Sequence, residues 1–198
     1  MLPVAMKYHL TLSLLFMTTI AFSQDELPYY NIPEAPEDHT PGSVLARMAD
    51  GLGFRYHWAT EGLREEDLAY QPTEESRSAG ETLEHLLDLS NGIMKTAQGL
   101  PVTREYDVEE MSFEEIRALT LSNIDAASEA FRGKSEEEIA ELQVVFQRGD
   151  EQYPYPIWNL MNGQMADALT HVGQIVSFRR TSGNPQPSGV NVFTGTKR

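Results

Sequence analysis

Asp167, His171 and Gln174 stand at i, i+4 and i+7 in the stretch DALTHVGQIVSFRR, which runs from Asp167 to Arg180. A helix there would stack them on one strip. Leu160 and Phe178 continue that strip on either side. Ile157, Met161, Ala168, Val172 and Ile175 form a neighbouring apolar arc, and Asn162, Ala166, Thr170, Gly173 and Ser177 form a small, polar arc opposite. An acid and an imidazole at the rim of a core-facing helix need a partner, because an isolated charge there is expensive. A metal ion is one such partner. A His–Asp hydrogen bond without metal is another, and spacing alone favours it.

Composition narrows the chemistry. The 198 residues include no cysteine, so disulfides, zinc fingers, iron–sulfur clusters and thiol nucleophiles are excluded, and any metal must rest on histidine and carboxylate. Net charge is -15, with 30 acidic residues against 15 basic ones. That excess disfavours nucleic acid, whose binding rests on Lys and Arg against phosphate, and anionic membrane surfaces. The length is that of one domain with a real core.

The seam must be positioned by other elements. Residues 1–23 read as an export signal: Lys7 precedes an apolar run from Leu10 to Phe22, and Ala21-Phe22-Ser23 fits a small-x-small cleavage pattern, which makes Gln24 the mature start. The run is too short for a comfortable membrane span. The expected location is therefore periplasmic or secreted, in soluble form. Residues 24–39, rich in Pro, Glu and Asp, read as an extended arm rather than a packed element.

A first helix starts at Thr40-Pro41, with Leu45, Met48, Leu52, Tyr56, Ala59 and Leu63 on its core face. Phe54 and Trp58 lie on another side, a second face that a dimer would bury. His57 falls roughly 140° from the core centre, which favours a structural or surface role for it and for its i, i+4 neighbour Glu61. Leu68 to Pro72 closes the hairpin.

A second helix starts at the capping box Ser78-Ala79-Gly80-Glu81. Leu83, Leu86, Leu87, Ile93 and Met94 form its core face. His85 sits just beyond that arc, able to reach a neighbouring helix, although taken alone such a histidine is more often packed or surface-bound. Gly99-Leu100-Pro101 stops the helix.

A third helix starts at the capping box Ser112 to Glu115 and ends at Gly133, with Phe113, Ile116, Ile124, Ala127 and Phe131 on one face. Ser135 to Glu141 reads as a short helix. Gln143 to Phe146 is a β-like run, Gly149-Asp150 a turn, and Tyr153 to Pro156 extended. A fourth helix runs from Ile157 to Thr181 and stops at Gly183-Asn184-Pro185. Residues 186–198 are expected to be an extended tail. The small arc of the fourth helix suits a homodimer. Four main helices over residues 40–185, with a long connection before the last, predict an all-α four-helix bundle.

Two segments resemble the DinB-like (DinB/YfiT) superfamily: Ser78-x-Gly80-Glu81-Thr82-Leu83-x-His85-Leu86, and His171-Val172-Gly173-Gln174-Ile175 followed by Arg179, Arg180, Gly183 and Pro185. The resemblance covers about Thr40 to Pro185. It implies a metal held by one histidine early in the second helix and a His-x-x-x-His pair on the fourth. The first carries over to His85 and the last to His171; the middle position is Asp167. Two histidines and one aspartate can hold Zn or Ni, and also Mn or Fe(II). Gln174 would orient His171 or a bound water.

On that basis the expected function is metal-dependent hydrolysis of a small substrate. A thiol-dependent S-transferase, which the resemblance also implies, and a non-catalytic binding or dimerisation bundle are the alternatives. Export counts against the transferase, since low-molecular-weight thiols are mainly cytosolic. Glu81, Glu84 and Glu61 are conceivable bases, but Glu81 is explained as a cap, and no catalytic residue is assigned. A di-iron carboxylate bundle would need paired Glu-x-x-His motifs, and no glutamate stands three residues before a histidine.

Overall fold

The computed structural model describes residues 27–104 and 106–198. The export signal over residues 1–23 lies outside the described residues. Six α-helices carry the fold: α1 (Pro41–Thr60), α2 (Glu65–Leu68), α3 (Ala79–Ala97), α4 (Phe113–Phe131), α5 (Glu136–Ala140) and α6 (Ala166–Thr181). A single 3-10 turn, Val108–Glu110, precedes α4. Among the described residues no helix is long and apolar enough to cross a membrane.

The helix starts follow local chemistry. Thr40 Oγ1 accepts from the Ser43 backbone N–H at 3.2 Å, and Pro41 begins α1 where its missing N–H costs nothing. Ser78/Glu81, Ser112/Glu115 and Ser135/Glu138 form reciprocal capping boxes on α3, α4 and α5. The Glu81 carboxylate accepts the Ser78 N–H at 2.7 Å, so it is committed to the cap.

Four long helices close a ring. α4 packs against α1 and α3, and α6 packs against the same two from the other side. Leu45, Leu52 and Tyr56 of α1, Leu83, Leu86, Leu87 and Ile93 of α3, Leu121, Ile124 and Phe131 of α4, and Ala168, Val172 and Ile175 of α6 fill the centre. Each large apolar side chain there contributes about 1.5–3 kcal/mol by leaving water. Met48, expected in this core, is instead exposed on the α1 flank.

The connection before α6 contains the expected hairpin. β1 (Gln143–Arg148) pairs antiparallel with β2 (Glu151–Pro156), from Gln143 opposite Pro156 to Arg148 opposite Glu151. Val102 joins the other edge of β1 in a parallel bridge to Phe146.

Several expectations change. The arm is packed at Tyr29, which is buried with its ring against Gly53, where an added Cβ would sit 2.4 Å from ring carbons; most of residues 33–39 are exposed. Burial, with Asp50 beside it, pushes the Tyr29 hydroxyl well above its ordinary range. The tail is a hairpin, with β3 (Val190–Asn191) on β4 (Thr196–Lys197), and it holds the arm through Ile32 N–H to Gly195 O at 2.8 Å and Lys197 N–H to Asn31 Oδ1 at 3.0 Å. Arm and tail supply what covers the second face of α1. Trp58 donates its indole N–H to Tyr30 O at 3.0 Å, and His57 Nδ1 meets Pro28 O at 2.8 Å. Trp58 and Phe54 are therefore buried within one chain. In place of a simple hairpin closure after α1, the short helix α2 intervenes.

The fourth long helix is not α-helical from Ile157. Leu160–Met165 is π-helical before α6 begins. Leu160 and Met165, five residues apart, are both buried, as is Gln164, which the wider turn permits. Leu160 therefore leaves the strip it would share with Asp167 in an unbroken α-helix.

The opposite end of α6 is tied to α1. Arg179, 2% exposed, donates from Nη1 to Trp58 O at 3.2 Å and Ala59 O at 2.9 Å, and from Nε to Asn184 O at 2.7 Å. Beside it, Asp67 accepts two bonds from the Arg64 guanidinium at 2.9 Å, and one each from the Ser182 hydroxyl and the Asn184 amide. The Arg64 guanidinium first, then Ser182 and Asn184, hold the Asp67 carboxyl well below the usual range.

Arg179→Met should lower stability by about 3 kcal/mol, because buried carbonyls lose their donors; urea unfolding would show it as a lower midpoint at unchanged slope. Asp67 carries a second expectation. A depressed carboxyl contributes stability that is full above about pH 4 and is lost as pH falls toward its folded value. Asp67→Asn should reduce stability at neutral pH and flatten the acid-side decline, measured by unfolding across pH 2 to 7.

Candidate metal centre

The Ser78 capping box sets the start of α3, and His85 follows two turns later on the side that faces α6. Asp167 and His171 lie one turn apart in the first half of α6, just after the π-helical segment. One ligand atom from each of the three lies within 4.8 Å of the others. His85 Nε2 is 3.3 Å from Asp167 Oδ2, and His171 Nε2 is 3.3 Å from Asp167 Oδ1. The two imidazoles meet edge to face, with centroids 4.8 Å apart. The carboxylate thus stands between two ring nitrogens, one oxygen toward each. Side-chain exposure falls from 47% at Asp167 through 27% at His85 to 13% at His171, so the cluster opens on the Asp167 side.

Gln174 is where the helical spacing puts it: His171 Nδ1 meets Gln174 Oε1 at 2.7 Å. The amide oxygen can only accept, so Nδ1 donates to it, which leaves Nε2, 3.3 Å from Asp167 Oδ1, as the ring atom available to a cation. Burial, the leading influence, lowers the His85 pKa below its ordinary 6.5, outweighing the Asp167 carboxylate that raises it. At neutral pH His85 therefore adds no full positive charge. Two imidazole nitrogens and a carboxylate oxygen within 4.8 Å of one another suit a cation, and that donor set suits a divalent transition ion.

The other histidine–acid pair does not join this site. His57 is buried against Pro28, and Glu61 pairs with Arg117 at 2.6 Å rather than with His57. Sequence reasoning misses four residues near the centre. Asn91, Arg104, Arg148 and Gln164 line a cavity that His85 also lines. Periodicity carries no signal for them, because the β1–Val102 bridge and the π-helical segment assemble that wall.

A ring of long helices holding two imidazoles and one carboxylate on adjacent members defines a helical protein with a candidate mononuclear metal centre. The DinB family model matches residues 56–193, which is more than half of the chain and includes all three residues, and the chain belongs to the DinB family. A solved DinB-like protein from Bacillus subtilis is similar at 14% identity, covering 71% of this chain and 95% of that chain with a TM-score of 0.49; a likeness this distant says nothing about activity. No match is found among curated proteins.

In the metal-free chain, the His85 ring protons should titrate with a midpoint below 6.5. Asp167→Asn removes the neighbour that raises the midpoint and should move it further down. NMR titration of the two proteins checks both; a midpoint that rises in the variant would mean that Asp167 does not act on His85.

Proposed function

We propose that this chain is an exported DinB protein that holds one divalent transition ion through His85, Asp167 and His171 and hydrolyses a small substrate. Zinc and nickel fit the donor set best, with manganese and iron(II) next. In this reading the four long helices act as a four-helix bundle, with residues 40–185 as its domain, and two copies form a homodimer. The observation that carries the proposal is the convergence of three ligand atoms from two helices, with Gln174 fixing the tautomer of the most enclosed one.

Such an ion, when bound, is a Lewis acid that polarises a carbonyl. The chain's own contribution is positioning. Gln174 holds the His171 ring so that Nε2 faces the centre. Asp167 shares its two oxygens between the histidines, which sets the distance between the rings. The partly exposed Asp167 side leaves room for a substrate to approach, while His171 is shielded behind it. Among the acids considered as bases, Glu81 is held by its cap and Glu61 by Arg117. Burial raises the Glu84 pKa, yet no distance ties it to the centre, and no base is assigned.

Elemental analysis of the purified chain beside His171→Ala tests the reading. About one transition metal per chain, lost in the variant while the helical circular dichroism is kept, is the expected result. A parent that takes up no zinc, nickel or manganese on incubation would sink the enzymatic reading and leave the bundle as a binding module. Metal retention with turnover only in the presence of a thiol would favour the S-transferase instead.

A further inference from the structure

His85 faces the candidate metal centre and also lines a cavity of about 560 Å³, within the size range of small-molecule sites. The far wall of this cavity has an unusual charge arrangement. Val102 N–H donates to Val145 O at 2.7 Å and Gln147 N–H donates to Val102 O at 3.0 Å, which sets Val102 opposite Phe146 in parallel register. Two residues further along each segment come Arg104 and Arg148. Both line the cavity. Two guanidinium groups in one lining stand out in a chain of net charge -15.

Asp88, which also lines the cavity, pairs with Arg104 at 3.7 Å, a loose pair between exposed side chains that holds Arg104 only weakly. Arg148 lies over the Tyr153 ring at 5.7 Å, and its cross-strand neighbour Glu151 accepts the Tyr153 hydroxyl.

The same lining includes two amides with an unmet need. Asn91 donates its amide N–H to Thr103 O at 2.8 Å, which orients the side chain and leaves its oxygen over. Asn91 Oδ1 and Gln164 Oε1 are both buried without a hydrogen-bond partner. Gln164 is pressed against α3 at Gly92, where an added Cβ would stand 2.1 Å from its amide nitrogen. The lining of one cavity therefore brings together two guanidinium groups, two amides with buried unpartnered oxygens and a histidine of the candidate centre.

We propose that this cavity is a substrate pocket for small acidic amides. The carboxylate lies between Arg104 and Arg148, whose forked donors suit it. The amide N–H donates to Gln164 Oε1, which has no partner to give up, while Asn91 stays held by Thr103, and the acyl end lies toward His85. The chemistry assigned to that end rests on the metal reading; the binding does not.

The test is calorimetric titration of the full chain, stripped of metal by EDTA and dialysis, with N-acetyl-β-alanine and with its neutral methyl amide. The acid should bind saturably at one site per chain, and the neutral compound should bind about tenfold more weakly, the loss expected for one charge-assisted carboxylate contact. Arg104→Gln combined with Arg148→Gln, both at exposed positions, should bring the acid down to the neutral compound. Asp88→Asn, which removes a competing carboxylate, should tighten the acid. Equal binding of acid and neutral compound, no binding of either, or an unchanged preference in the double variant would overturn the proposal. The zinc-loaded chain titrated with acetohydroxamate reports the metal reading separately. Acid binding without zinc uptake would sink only the metal site, and zinc uptake without acid preference would sink only this pocket.

Discussion

The closure of the C-terminal end of α1 by the Arg179 guanidinium is the contact on which the site geometry depends. The last carbonyls of a helix have no N–H of their own to accept from. Those of Trp58 and Ala59 are buried, where an unpaired acceptor is costly. Arg179 fills them from α6, and its Nε is held in turn by Asn184. This pins the last turn of α6 to the end of α1. Asp167 and His171 lie 12 and 8 residues up the same rod, about 18 and 12 Å away at 1.5 Å per residue. A helix fixed at one end by a buried forked contact, and along its length by Val172 and Ile175 in the core, cannot rotate freely. The seam is thereby aimed at His85.

The site is a local exception in how the chain handles acid. Elsewhere carboxylates are absorbed by structure: Glu81, Glu115 and Glu138 cap helices, Asp67 is saturated by Arg64, Ser182 and Asn184, and Asp50 accepts from Ser128 at 2.6 Å. Asp167 instead stands between two imidazoles, one tied by Gln174 and the other with its pKa lowered by burial. In this acidic chain Arg104 and Arg148 line the cavity that His85 also lines.

Arm and tail explain the other side of α1. The hairpin of residues 190–197 and the strap through Tyr29 and Tyr30 cover His57 and Trp58, and Lys197 sits 5.6 Å over the Trp58 ring. The aromatic face that suggested a partner is satisfied by the chain's own ends. His57, buried and bonded to a carbonyl, is structural.

By itself the sequence determined what depends on near neighbours. The Ser/Glu capping boxes of α3 and α4, the Thr40-Pro41 start of α1 and the glycine stops set the ends of long helices, and a third box starts the short α5. The i, i+4 spacing set Asp167 under His171, and the i+3 contact set Gln174 on its ring; all are short-range consequences of helical geometry. The third member of the candidate cluster was readable only through family resemblance, since His85 comes 82 residues before Asp167 and nothing local says that α3 and α6 adjoin. Tertiary structure alone decided the rest. The π-helical turn, which buries Leu160, Gln164 and Met165 together, answers to core packing rather than to any period in the sequence. The bridge from Val102 to Phe146, and the arm that buries Tyr29, are contacts between distant segments, whose energy exists only once the helices have already placed both sides.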